Sequence, residues 1–117
     1  MPESEVSFVL TNDTLNKLKR AASTLGHDEL SITGKDGVLT LSVIESQNAT
    51  SNAFSIDIDG EIKTDSSFNF ILSISNLKIL PGDYEVDISS KLITQFKNKD
   101  VNVTYWIALE KTSRFGV

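Results

Sequence analysis

Cysteine is absent from this sequence of 117 residues, and histidine nearly so, with His27 the single copy. The first absence excludes disulfides, thiolate nucleophiles and cysteine-ligated metals. The second leaves a serine hydrolase without a base other than His27. No G-x-S-x-G elbow, G-x-x-x-x-G-K-[ST] loop or G-x-G-x-x-G fingerprint occurs. A basic, apolar leader and an apolar run of membrane-spanning length are also lacking, so an intracellular, soluble chain is the expectation. Nor is there a surplus of positive charge. Lys and Arg number 11 against 16 Asp and Glu, a formal charge of -5. That balance argues against a protein that coats nucleic acid indiscriminately.

What is present suits one globular domain: the apolar fraction is 39% and the charged fraction 23%. Met1 to Glu5 reads as a polar lead-in or a cloning remnant, 6–110 as a single domain, and 111–117 as a C-terminal tail. Val6 to Leu10 has strand-like content. Thr11 offers a helix N-cap, with Asp13 in the first turn. Leu15, Leu18, Ala22 and Leu25 then recur at helical spacing, and Gly26 suits the left-handed stop. The helix is therefore placed over Asn12 to Leu25.

Period-two runs follow at Glu29 to Thr33 and Val38 to Ile44, joined through Gly34-Lys35-Asp36-Gly37, whose Asp-Gly pair favours a tight hairpin. Phe54, Ile56 and Ile58 continue the alternation, and Asp59-Gly60 has turn composition. Phe68 to Leu72 reads as a strand. Ile74 to Leu80 is ambiguous and is read as a short helix of about two turns, stopped by Pro81-Gly82. Three strands close the chain: Tyr84 to Ser89, Leu92 to Lys97 and Val101 to Glu110. The pattern is a weak internal duplication of a helix-plus-strands unit. It predicts an α+β fold with two short helices on one face of antiparallel sheet.

Candidate chemistry is sparse. His27 has Asp28 and Glu29 beside it, but adjacent residues rarely converge on a metal, and a surface histidine at a helix end is the better reading. Asp57 and Asp59 are paired acids at period two. Asp83, Glu85 and Asp87 repeat that spacing opposite Tyr84, Val86 and Ile88. Both series read as solvated strand faces. Asn48-Ala49-Thr50 and Asn102-Val103-Thr104 match the glycosylation acceptor, which carries little information without a leader. No catalytic residue, metal site or cofactor is expected.

The first helix is more informative. Opposite its leucine stripe sit Lys17 and Arg20, with Lys19 on the flank, and Asp13 is the only acid near that face. A local positive patch on an acidic protein can meet phosphates without reading bases. A plain solvated helix face is the competing reading.

Two stretches resemble a known family. One is Phe68-Asn69-Phe70-Ile71-Leu72 with Asn76-Leu77-Lys78-Ile79-Leu80-Pro81-Gly82-Asp83-Tyr84. The other is Asn102 to Glu110. Together with the capped helix and hairpin over Thr11 to Ile44, they resemble the C-terminal domain of the DNA polymerase sliding clamps of T-even-type phages. The resemblance implies a clamp fold that does no chemistry, with helices lining the hole of a homotrimeric ring. It implies duplex DNA, DNA polymerase, a clamp loader and late transcription proteins as partners, and the cytoplasm of an infected bacterium as the setting. It places Lys17, Lys19, Arg20 and Lys78 toward DNA. Phe96, Trp106, Phe115 and Val117 become candidates for a partner pocket. Only one clamp-like domain is present, which leaves open a monomer. The alternative is a small interaction module that binds peptides at a sheet edge or apolar patch, without nucleic acid.

Overall fold

The computed structural model describes residues 3–45 and 54–116. Asn48-Ala49-Thr50 and Val117 lie outside them. Strand β1 (Val6–Leu10) leads into helix α1 (Asn12–Leu25). Thr11 caps the helix: its backbone is extended and its hydroxyl accepts from the Thr14 N–H at 3.2 Å. At the other end Gly26 takes φ 69 and donates to the Ala22 carbonyl. Leu15, Leu18 and Ala22 are buried, so three of the four stripe residues face the core, while Leu25 at the helix end is only half-buried.

Strands β2 (Glu29–Lys35) and β3 (Val38–Ile44) form a hairpin. Asp36 and Gly37 both have positive φ, 54° and 80°, as a two-residue turn matched to sheet twist requires. Strand β4 (Phe54–Ile62) runs straight through Asp59-Gly60. The turn expected there is absent because β4 changes partners at that point. It pairs with β3 through Asp59 and with β1 from Gly60 to Ile62. A Cβ on Gly60 would lie 2.3 Å from Leu39 Cδ1 and 3.0 Å from the Ser7 carbonyl oxygen. Glycine serves here for close approach of strands.

Strand β5 (Phe68–Ser73) is followed by a single 3-10 turn, Ile74–Leu77, where a longer helix was expected. Ser73 makes no side-chain cap bond. Beyond Leu77 the backbone is claimed by tyrosines: the Leu80 N–H donates to Tyr105 Oη at 3.2 Å, and the Tyr84 hydroxyl donates to the Leu80 carbonyl at 2.6 Å. Pro81 further disfavours helical backbone just before it. Leu77 is nonetheless buried, as its place in the pattern implied.

Strands β6 (Tyr84–Ser89), β7 (Ile93–Asn98) and β8 (Thr104–Ala108) follow. β8 is shorter than the period-two run. Asn98 Oδ1 accepts from the N–H groups of Asp100 and Val101, which holds the preceding segment in a turn and leaves Val101 exposed. A two-residue strand, β9 (Arg114–Phe115), lies in the segment read as tail and pairs with β5. Glu5, read as lead-in, is also tied down, its carboxylate accepting from the Ser90 N–H and hydroxyl, each at 2.7 Å.

The strand order is β8-β7-β6-β1-β4-β3-β2-β5-β9, all antiparallel neighbours. The duplication now has a physical form. β1 pairs with β6 and β5 with β2, so the first strand of each unit crosses into the other. The sheet curls until the Glu110 N–H, just past β8, donates to the Ile71 carbonyl on β5 at 2.7 Å. The units thus share one core, in which α1 packs with residues such as Phe8, Leu41, Phe70, Val86 and Phe96. Neither could bury its apolar face alone.

Candidate nucleic-acid interface and partner surface

Helix α1 is held by its leucines, and its cations take the other side. Lys17 and Arg20 are exposed and Lys19 is half-buried on the flank. Lys17 Nζ lies 3.0 Å from Asp13 Oδ2, one helical turn earlier, with side chains 53% and 77% exposed. Exposed pairs of this kind contribute about 0.3–0.5 kcal/mol, so a phosphate can replace the carboxylate at little cost. Among the described residues no acid stands within ion-pair distance of Lys19, Arg20 or Lys78. Lys78 is exposed, but it follows the 3-10 turn and is not carried by a second α-helix.

Two hydrogen bonds tie the start of α1 to residues 82 and 83. The Asn12 N–H donates to Asp83 Oδ1 at 2.8 Å, and the Gly82 N–H donates to Asn12 Oδ1 at 3.0 Å. This reciprocal pair fastens the helix start to the loop that follows Lys78.

The far side of the sheet has the opposite charge. Along β6, buried Tyr84, Val86 and Ile88 alternate with Glu85 and Asp87. The registers set Glu61 against Ser7 and Ser7 against Asp87. Ser7 donates to Asp87 at 2.5 Å. Asp57, Asp59, Glu61 and Glu85 are exposed. These acids point away from the core that α1 covers. The outer sheet face is therefore mainly acidic, with Lys97 set against Glu85 and Lys63 Nζ 3.2 Å from Ser7 Oγ, while the helix face is mainly basic.

A hollow of about 720 Å³ lies between α1 and β4, lined by Ala21, Leu25, Phe54 and Ile56 with Lys17 and Arg20 at its rim. Among the described residues, Phe54–Asp59 of β4 have β3 on one side and no strand on the other. β8 likewise pairs with β7 alone. Sequence periodicity placed Phe54 and Ile56 on one face of a strand. It carried no signal that this part of β4 borders a hollow.

The partner candidates separate cleanly. Phe96 is 1% exposed and packs edge-on against Tyr84, with ring centroids 6.2 Å apart. It is core and offers no surface to a partner, because β7 turns Thr94, Phe96 and Asn98 inward. Trp106, facing the other way, is 61% exposed. Phe115 is half-buried and stacks on Phe70 with centroids 6.1 Å apart, held there by β9. Leu92 was not singled out from sequence. It is exposed, adopts φ 65, and its carbonyl accepts from the Leu109 N–H at 3.0 Å. Positive φ at a leucine has no sequence signature.

His27 is not the surface histidine expected. Its side chain is 6% exposed and Nδ1 lies 4.0 Å from Glu45 Oε2. Among the described residues no three His, Cys, Asp or Glu side chains converge to hold a metal ion. No helix there is long and apolar enough to cross a membrane.

Residues 7–111 match the family described as gp45 sliding clamp, C terminal. The chain belongs to that family. It is 30% identical over 105 residues to the sliding clamp of Vibrio phage KVP40, covering 88% of this chain and 46% of that protein. It is also 30% identical over 121 residues to the sliding clamp of Escherichia phage RB69, covering 96% and 50%. The chain thus spans about half the length of these phage clamps. The fold recurs in a Caulobacter crescentus beta sliding clamp, with TM-score 0.68 at 14% identity, covering 96% of this chain and 31% of that one. A Thermotoga maritima DNA polymerase III beta subunit gives TM-score 0.67 at 12% identity, covering 95% and 32%. The clamp fold is therefore retained where little sequence identity remains.

Proposed function

We propose that this domain is part of a DNA polymerase sliding clamp that surrounds duplex DNA and keeps the polymerase on its template. The observation that supports this reading most is the uneven distribution of charge: mainly cations on the solvent face of α1, and on the opposite face of the sheet an excess of acids over Lys63 and Lys97. A ring that slides needs weak, sequence-independent phosphate contacts inside and repulsion of DNA outside. Lys17 and Arg20, flanked by Lys19 and joined by Lys78, supply the first. Asp57, Asp59, Glu61, Glu85 and Asp87 supply the second.

The open edges of β4 and β8 suit closure of a ring by sheet continuation, since a domain inside a ring needs two free sides. A homotrimer of two-domain subunits is the assembly proposed. Trp106 and Leu92, on the surface away from the helix, are the proposed contact for polymerase, clamp loader and late transcription proteins, acting in the cytoplasm of an infected bacterium. Phe115 borders this role only through its strand pairing with β5. The test is primer extension with Lys17→Glu/Arg20→Glu introduced into the assembled ring. Shortened product runs at moderate salt with an unchanged circular dichroism spectrum are expected. Unchanged run lengths would remove the helix from DNA contact.

The exposure of Trp106 also fits a peptide-binding module without nucleic acid. That reading is favoured if peptide binding persists while duplex DNA is ignored at low salt.

A further inference from the structure

Lys99 lies in the turn after β7, and its backbone belongs to the same structural unit as the start of α1. Its N–H donates to the Asp83 carbonyl at 2.9 Å. The Asp83 carboxylate in turn receives the Asn12 N–H, and Gly82 donates back to Asn12. From the other side Asn98, 4% exposed, locks the two loops together. Its Nδ2 donates to the Pro81 carbonyl at 3.3 Å, while its Oδ1 accepts from Asp100 and Val101. The loops at 78–83 and 98–101 are thus one rigid element fixed to the N-terminal end of α1.

This element carries two exposed cations, Lys78 and Lys99. Neither has an acid within ion-pair distance among the described residues. The two acids of the element are differently committed. Asp83 is half-buried and bound to Asn12. Asp100 is exposed, but its carboxylate turns back over Gly82, where Oδ2 would lie 3.1 Å from a Cβ on that glycine.

We infer that Lys99 joins Lys78 in contacting phosphates of the same duplex that α1 faces, so that the cationic track continues past the N-terminal end of the helix onto the second of the clasped loops. The inference rests on the reading of α1 as the duplex-contacting helix. A track on a rigid element adds phosphate contacts without ordering a flexible loop, whose entropy would otherwise oppose binding. It also gives those contacts a fixed spacing from Lys17 and Arg20, set by the Asn12–Asp83 fastening.

The test is a titration of the isotope-labelled 117-residue chain with a short duplex at low salt, followed by amide resonances. It is paired with the salt dependence of binding for Lys99→Ala and for Lys91→Ala. Lys91 is also exposed but lies at the far end of β7. The amides of Lys78 and Lys99 should shift together with those of Lys17 and Arg20. Lys99→Ala should lower the slope of log affinity against log salt by about 0.9, and Lys91→Ala should leave it unchanged. Shifts on α1 without shifts at Lys78 and Lys99, or a slope indifferent to Lys99→Ala, would overturn the extension and leave the α1 reading standing. A titration in which α1 itself does not respond would overturn both.

Discussion

The Tyr84 hydroxyl, inside the core, donates to the Leu80 carbonyl at 2.6 Å and so ends the chance of a longer second helix. Burial raises the phenol pKa of Tyr84, with Asn98 opposing and Tyr105 adding to the rise. The folded protein therefore holds this proton more tightly than the unfolded chain. The sign follows from linkage: stability is intact below the ordinary tyrosine pKa of about 10 and falls as pH rises above it. Tyr84→Phe should lose about 1 kcal/mol at neutral pH, for one hydrogen bond, and should show a shallower alkaline fall. Denaturant melts between neutral and strongly alkaline pH check both; equal alkaline slopes for the two proteins would contradict the assignment.

The Asn12–Asp83 fastening predicts a second effect. Asp83→Ala removes the acceptor for the first helical N–H and should cost about 1–2 kcal/mol. Asp83→Asn keeps an acceptor oxygen and should cost less. Equal midpoints for wild type and Asp83→Ala in a urea melt would show that the bond contributes nothing.

Leu18 and Gly60 test the core from opposite directions. Leu18 is completely buried, and Leu18→Ala should cost about 2–5 kcal/mol. Gly60→Val would push atoms into Leu39 and the Ser7 carbonyl and should cost about 1–3 kcal/mol by overpacking. Thermal melts that leave either variant at the wild-type midpoint would reject the packing described.

Phe96 and Trp106 should behave in contrary ways. Phe96→Ala opens the core and should cost about 3–5 kcal/mol. Trp106→Ala, at an exposed position, should change stability by no more than about 0.5 kcal/mol while, under the proposed partner role of Trp106, weakening binding of a peptide from the C-terminus of a phage DNA polymerase. Retained peptide affinity in Trp106→Ala would move the partner surface elsewhere.

The elements with two agreeing signals were legible in the sequence. α1 had a cap, a stripe and a glycine stop, and its bounds coincide with those read from the pattern. The Asp36-Gly37 hairpin followed from the positive φ that such a turn demands. Where one local signal met a tertiary demand, the reading failed. Gly60 looked like a turn because its real reason, passage of β1 across β4, joins residues far apart in sequence. The second helix shrank because Tyr84 and Tyr105 capture Leu80 from other strands. β9 was invisible because two residues carry no period. For the candidate site, the cations on α1 were readable from a helical wheel. The inward face of Phe96 depended on strand register, which periodicity leaves free by one position. Leu92 became a surface feature only through its backbone angle.

The excess of cations on the helix face and of acids on the sheet face carries the functional reading, and site-specific photocrosslinking tests which face meets DNA. A photoreactive side chain would replace exposed Asn16 on α1 in one assembled ring and exposed Glu85 on β6 in another. Each ring would then be loaded on duplex DNA and irradiated. Covalent DNA adducts are expected from position 16 and none above background from position 85. Adducts from position 85 equal to or exceeding those from position 16 would contradict the functional reading.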